Sequence, residues 1–165
     1  MNILSPVISN FPVVATSEKF IVKDNFDVNT KDSAVVKISY ISKEFKDFFI
    51  NKIEDLFNGS IICGRDLSKD SLGAYTFNEL GGQEKAETTL TEIYAMMKNQ
   101  AKGRDCDLLT NGFANIFHVR DINNILRVVD VRWLDGAWYV DASSVRYPVV
   151  WVAGLRIFSR NSSKS

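Results

Sequence analysis

The sequence predicts a single α+β domain of two layers, a curved antiparallel sheet with two helices packed on one face. Three observations lead there. Apolar residues recur at three- and four-residue spacing in two stretches, Phe45 to Phe57 and Leu90 to Met97. Shorter stretches rich in β-branched and aromatic residues alternate instead, as half-buried strands do. Near the C-terminal end the turn pair Asp135-Gly136 separates two runs whose large apolar residues match when one is folded back on the other.

The 165 residues, 45% of them hydrophobic and eleven of them Phe, suffice for one core. Twenty basic and twenty acidic side chains cancel, so no overall field draws the protein to a phosphate backbone or an anionic membrane, and nucleic acid is disfavoured as a partner. Basic residues do crowd toward the C-terminal part, where Arg120, Arg127, Arg132, Arg146, Arg156, Arg160 and Lys164 outnumber Asp121, Asp130, Asp135 and Asp141. Such a distribution reads as a solvated sheet face with a basic tail. Cys63 and Cys106 form no CxxC pair, and with one His in the chain no Cys/His zinc site can be assembled, so neither metal nor cofactor is expected. Residues Met1 to Thr16 lack the basic flank and apolar run of a signal peptide, and no stretch reaches the ~20 apolar residues of a membrane span. The expectation is a soluble, cytoplasmic protein without membrane contact.

Residues 1–16 carry two of the three prolines and no period, and are expected to be an extended arm, followed by one domain over 17–161 and a frayed tail at 162–165. Lys19 to Lys23 and Ala34 to Ile41 read as strands joined in a hairpin through the Asn- and Asp-rich segment Asp24 to Ser33, which lacks the glycine and terminal glutamate of a calcium loop. A helix begins at Ser42, a good N-cap, with Glu44 in its first turn, and Asn58-Gly59 stops it. Its Phe45, Phe48, Phe49, Ile53, Leu56 and Phe57 stripe is assigned to the core. Ser60 to Gly64 is a short buried strand, and an irregular stretch runs to Gly82. Gly81-Gly82 precedes a helix but fits no phosphate-loop pattern, and reads as a flexible joint. The second helix carries Leu90, Ile93, Tyr94 and Met97 on one face, with Lys98 and Lys102 toward its negative end and Gly103 as its stop. It starts either at Gln83 to Glu87 or at Thr89, which with Glu92 would form a capping box. Arg104 to Gly112 reads as a loop, and Tyr147 to Trp151 and Gly154 to Arg160 as further strand.

Three strands joined by tight turns run from Ala114 to Ala142. A two-residue type I′ turn at Asp135-Gly136 sets Trp133 against Trp138, Val131 against Val140 and Val129 against Ala142 on one face, which must be buried. The other face then pairs Arg132 with Tyr139 and Asp130 with Asp141. A three-residue loop through Ile122-Asn123-Asn124, with Asn124 left-handed, puts His118 opposite Val128 on the aspartate side. A two-residue loop would move it to the Trp side. This face holds the chemistry of the chain: Asp130 and Asp141 opposed, His118 one diagonal away, and Arg132 and Tyr139 flanking as ligand-binding candidates. Shielded from water, one carboxylate would have a raised pKa and serve as acid or base, with His118 orienting a water or binding a metal with them. Exposed, both aspartates would simply be solvated and relieved by Arg132 or Arg120.

Asn111-Gly112-Phe113-Ala114-Asn115-Ile116-Phe117, Val131-Arg132-Trp133, Asp135-Gly136-Ala137-Trp138-Tyr139-Val140 and Arg156-Ile157-Phe158-Ser159-Arg160-Asn161 together resemble a family of uncharacterised bacterial proteins of the candidate-phylum type, with a WxDGxWxV and RxFSRN ending. The resemblance brings no activity, cofactor or site residue. The sheet-and-helix order is similar by analogy to cystatin-like or nuclear-transport-factor-like folds, which does not settle function. Three functional expectations follow. The first is a non-catalytic binding or protein-interaction module, meeting a protein partner or a second copy through the C-terminal sheet, its last strand offering an edge. The second is a small hydrolase or lyase using Asp130, Asp141 and His118. The third is a nucleic-acid accessory protein with a basic tail.

Overall fold

In a computed structural model that describes residues 2–101, 103, 106–146 and 149–160, the elements follow one another along the chain. They are β1 (Ser9–Val13), β2 (Phe20–Ile21), α1 (Val22–Asn25), β3 (Ile38–Ile41), α2 (Lys43–Phe49), β4 (Ile53–Glu54), β5 (Ser60–Asp66), β6 (Ser71–Leu72) and α3 (Gly73–Glu79). After these come α4 (Gln83–Ala86), β7 (Glu87–Thr88), α5 (Leu90–Asn99), β8 (Asn115–Arg120), β9 (Leu126–Leu134), β10 (Ala137–Ser144), β11 (Val150–Trp151) and β12 (Arg156–Arg160). The expected tail at 162–165, the Tyr147-Pro148 strand start, and Lys102 and Arg104 lie outside the described residues.

The main sheet runs β1-β5-β12-β8-β9-β10-β3, with β7 also on β8. Its pairings are antiparallel except for β12 on β8, β7 on β8 and β3 on β10, so the protein is an α+β fold with a large, mostly antiparallel sheet and few helices. The C-terminal strands keep the register that their turns dictate. Trp133 faces Trp138, Val131 faces Val140 and Val129 faces Ala142, closed by Asp135 at φ 51° and Gly136 at φ 84°, the two positive values a type I′ turn needs. Between β8 and β9, Asn124 takes φ 64° and His118 lies opposite Val128, as the three-residue loop requires.

Successive strand residues point to opposite faces, and each face has its own core. On one side α2 and α5 supply Phe45, Phe49, Leu90, Ile93 and Met97 against Phe117, Val129, Trp138 and Phe158, with the Phe117 and Phe158 rings stacked at 4.8 Å. On the other, Ile116, Val128 and Ile157 meet Ile3, Leu4 and Leu67. The segment expected as an extended arm is thus built into the body: β1 pairs with β5, Leu4 bridges Leu67, and Glu79 accepts the N–H groups of Ile3 and Leu4 at 2.8 and 2.7 Å.

Three local expectations are corrected. Phe20-Ile21 pairs with Ile53-Glu54 and not with 34–41, because Val22 and Phe26, four residues apart and fully buried, turn the chain into the helical turn α1. The first helix starts at its Ser42 cap, whose hydroxyl accepts the Phe45 N–H at 3.0 Å, but it ends at Phe49, well before Gly59. Continuing it would carry away Glu54, whose buried carboxylate takes the N–H groups of Leu90 and Thr91 at 2.9 and 2.7 Å and so caps α5 from a distance. Ile53 and Leu56 are consequently exposed and outside the core. Finally, β12 is no edge. It lies between β5 and β8, and the ends of the sheet are β1 and β3. Among the described residues no helix is long and apolar enough to cross a membrane.

Candidate functional site

The face of β9 and β10 that points away from α2 and α5 holds Asp130 opposite Asp141 and Arg132 opposite Tyr139. Asp130 is largely withdrawn from water beside Val128 and Ile116, and burial pushes its carboxyl above the usual carboxylate range. Arg132, two residues on along the same face, opposes this from 3.5 Å, while the negative charge of Asp141 adds to it. Asp141 itself is exposed and accepts the Ala142 N–H at 2.8 Å. One aspartate therefore resembles a tuned acid and the other a solvated one.

His118 shares that face, opposite Val128 and one diagonal from Asp130. It is 1% exposed, and its ring lies 5.1 Å from Phe77 of α3 and 6.5 Å from Trp151 of β11, between the sheet and the layer that covers it. Its Nδ1 is buried without a hydrogen-bond partner among the described residues, and desolvation lowers its pKa to about 4. The imidazole is therefore neutral at pH 7, held between Phe77 and Trp151. Among the described residues no group of three His, Cys, Asp or Glu side chains is placed to hold a metal ion.

What the structure adds to Tyr139 is Tyr40. Strands β3 and β10 are parallel with a register shift between Trp138 and Tyr139, so that burial along Ile38 to Ile41 reads buried, half-buried, exposed, buried. The irregularity turns Tyr40 out, although strict alternation puts it on the same face as Val36 and Ile38. Its ring meets that of Tyr139 at 5.3 Å, with 47% and 38% of the two residues exposed, and Arg132 lies across from Tyr139. Nothing in the local sequence marks the bulge; the only signal was the pairing of an aromatic residue with an edge strand.

Of the six C-terminal arginines named above, all but the exposed Arg146 pair with a carboxylate among the described residues. Arg120 pairs with Glu87, Arg127 with Asp121, Arg132 with Asp130, Arg156 with Asp66 and Arg160 with Glu92. Asp121, held by the N–H groups of Asn123 and Ile125 and by Arg127, keeps a pKa below the usual range despite its burial. On the opposite side of the sheet a cleft of about 520 Å³ opens beside Trp133, Val35 and the Asp32–Lys37 ion pair. Compared with known proteins, the chain matches no family model, no curated protein and no solved structure.

Proposed function

We propose that the protein is a non-catalytic binding module that recognises another protein through the outward face of β9, β10 and β3. The observation that carries this reading is the Tyr40–Tyr139 ring pair, left half-exposed beside Arg132 at the end of the sheet. Tyrosine and arginine dominate binding energy at protein interfaces because they offer large contact area with a polar end, and here they stand together where few neighbours cover them. Asp141 and the Asp130–Arg132 pair would form the polar rim. A photo-crosslinking amino acid placed at position 139 in cells is expected to give a discrete protein adduct that is lost with Arg132→Glu. The same group at position 75, where Tyr75 is exposed on α3, is the control. Equal labelling from both positions, or none from 139, would overturn the reading; an adduct with the protein's own mass would identify a second copy as the partner.

A second reading, a hydrolase or lyase, is favoured by the raised pKa of Asp130 alone. The finer architecture belongs with these proposals too. A curved two-layer sheet around helices is supported by the core between α2, α5 and the strands, and the second core on the reverse face supports an added covering layer. A cytoplasmic setting fits the free thiols Cys63 and Cys106.

A further inference from the structure

Where the Gly81-Gly82 joint meets the sheet there is a cavity of about 80 Å³ whose polar wall is made by Arg65, Lys85, Ser159, Arg160 and Glu79. The fold brings these together from three places. Cys63 faces Ser159 and Arg65 faces Ile157 across the antiparallel β5–β12 pair, so Arg65 and Ser159 project on the same side of the sheet. Lys85 comes from α4, and it folds back over the joint so closely that a Cβ on Gly81, at φ 101°, would stand 2.6 Å from its Cδ. The charges do not cancel locally. Arg160 is held in a fork by Glu92 at 2.8 and 2.9 Å, and both oxygens of Glu79 are taken by the Ile3 and Leu4 N–H groups. Among the described residues neither Arg65 nor Lys85 forms an ion pair, and Arg65 has only a long 3.4 Å bond to the Ser5 carbonyl.

We propose that this cavity binds a phosphate group, either free or as the head of a small ester. Two cations and a hydroxyl arriving from different elements offer donors in several directions, which suits a tetrahedral oxyanion; guanidinium and ammonium are the usual phosphate donors. The volume holds one such group. Val7 and Leu80 on the same wall give an ester's apolar tail a place to lie. The fixed charge of Glu79 sets the affinity low, with Kd on the order of 1 mM. Because β5, β12 and α4 all contribute, binding stabilises the fold.

The test is thermal unfolding in sodium phosphate and in phenyl phosphate against sodium chloride of equal ionic strength. Wild type, Lys85→Ala, Arg65→Gln and a surface control, Lys31→Ala, are compared. At ten times Kd, phosphate is expected to raise Tm by about 3–5 °C in wild type and control. Lys85→Ala should weaken the apparent affinity about tenfold or more; Lys85 is exposed, so this variant decides the matter even if Arg65→Gln fails to fold. Tighter binding of phenyl phosphate points to an ester head, and equal binding to the free ion. Equal shifts in wild type and Lys85→Ala would assign the effect to general exclusion of the ion from the protein surface and overturn the proposal, as would no shift beyond chloride.

Discussion

His118 is buried between the sheet and the layer that covers it. Its strand, face and register partner all follow from turn chemistry, whereas its surroundings, Phe77 and Trp151, come from segments whose packing no local pattern announces. The consequence is measurable. The unfolded chain binds a proton on His118 near pH 6.5 and the folded chain only near pH 4, so the contribution to stability is full above 6.5 and is lost as pH falls between those values. Chemical denaturation is expected to show a loss of about 3 kcal/mol from this group over that window, absent in His118→Phe. Asp130 has the opposite sign. Its folded pKa is raised above 3.8, so its contribution is full below that value and is lost as pH rises through the folded pKa. Asp130→Asn should therefore stabilise the protein at pH 7, by up to about 1 kcal/mol for removing one of two opposed carboxylates. Urea midpoints that fall instead at pH 7 would mean that its pairing with Arg132 outweighs its burial.

At the scale of elements, what could be read in advance was whatever depends on neighbours in sequence. The Ser42 cap, the Thr89–Glu92 capping box and the type I′ turn are local chemistry, and each is present. The end of α2, the turn α1 and the helix α3 were not legible, because each is decided by a distant partner or by burial. Glu54 is the plainest case. In a helical stripe it looks like a solvent-facing acid, yet it accepts two backbone N–H groups of α5, bonds the Thr91 hydroxyl at 2.5 Å and pairs with Lys52 at 3.3 Å. Glu54→Ala leaves those donors buried and unpaired, and is expected to cost about 2–4 kcal/mol, read as a lower urea midpoint with an unchanged slope. The candidate site divides in the same way. Asp130, Asp141, Arg132 and Tyr139 were placed by register, while Tyr40 depended on a bulge in a parallel strand contributed from far away in the chain.

The whole molecule depends on one insertion. β12 joins β1 and β5 on one side to β8, β9, β10 and β3 on the other, so the sheet has no continuous order without it. Its pairings span long separations, as in the Arg156–Asp66 ion pair between residues 90 positions apart. A chain cut after Ala153 is expected to lose cooperative unfolding and dispersed amide resonances, not merely a few degrees of stability. A truncated form that still melted in one sharp transition would show that the two halves of the sheet hold without their link.

The same insertion sets a hazard during synthesis. Until residues 156–160 leave the ribosome, β5 presents an unpaired edge and β8 is covered on that side only where β7 pairs with His118 and Val119, with Ile62 and Phe117 close by, and such edges pair readily with foreign strands. A chain that lacks these residues is therefore expected to aggregate more readily than the full chain.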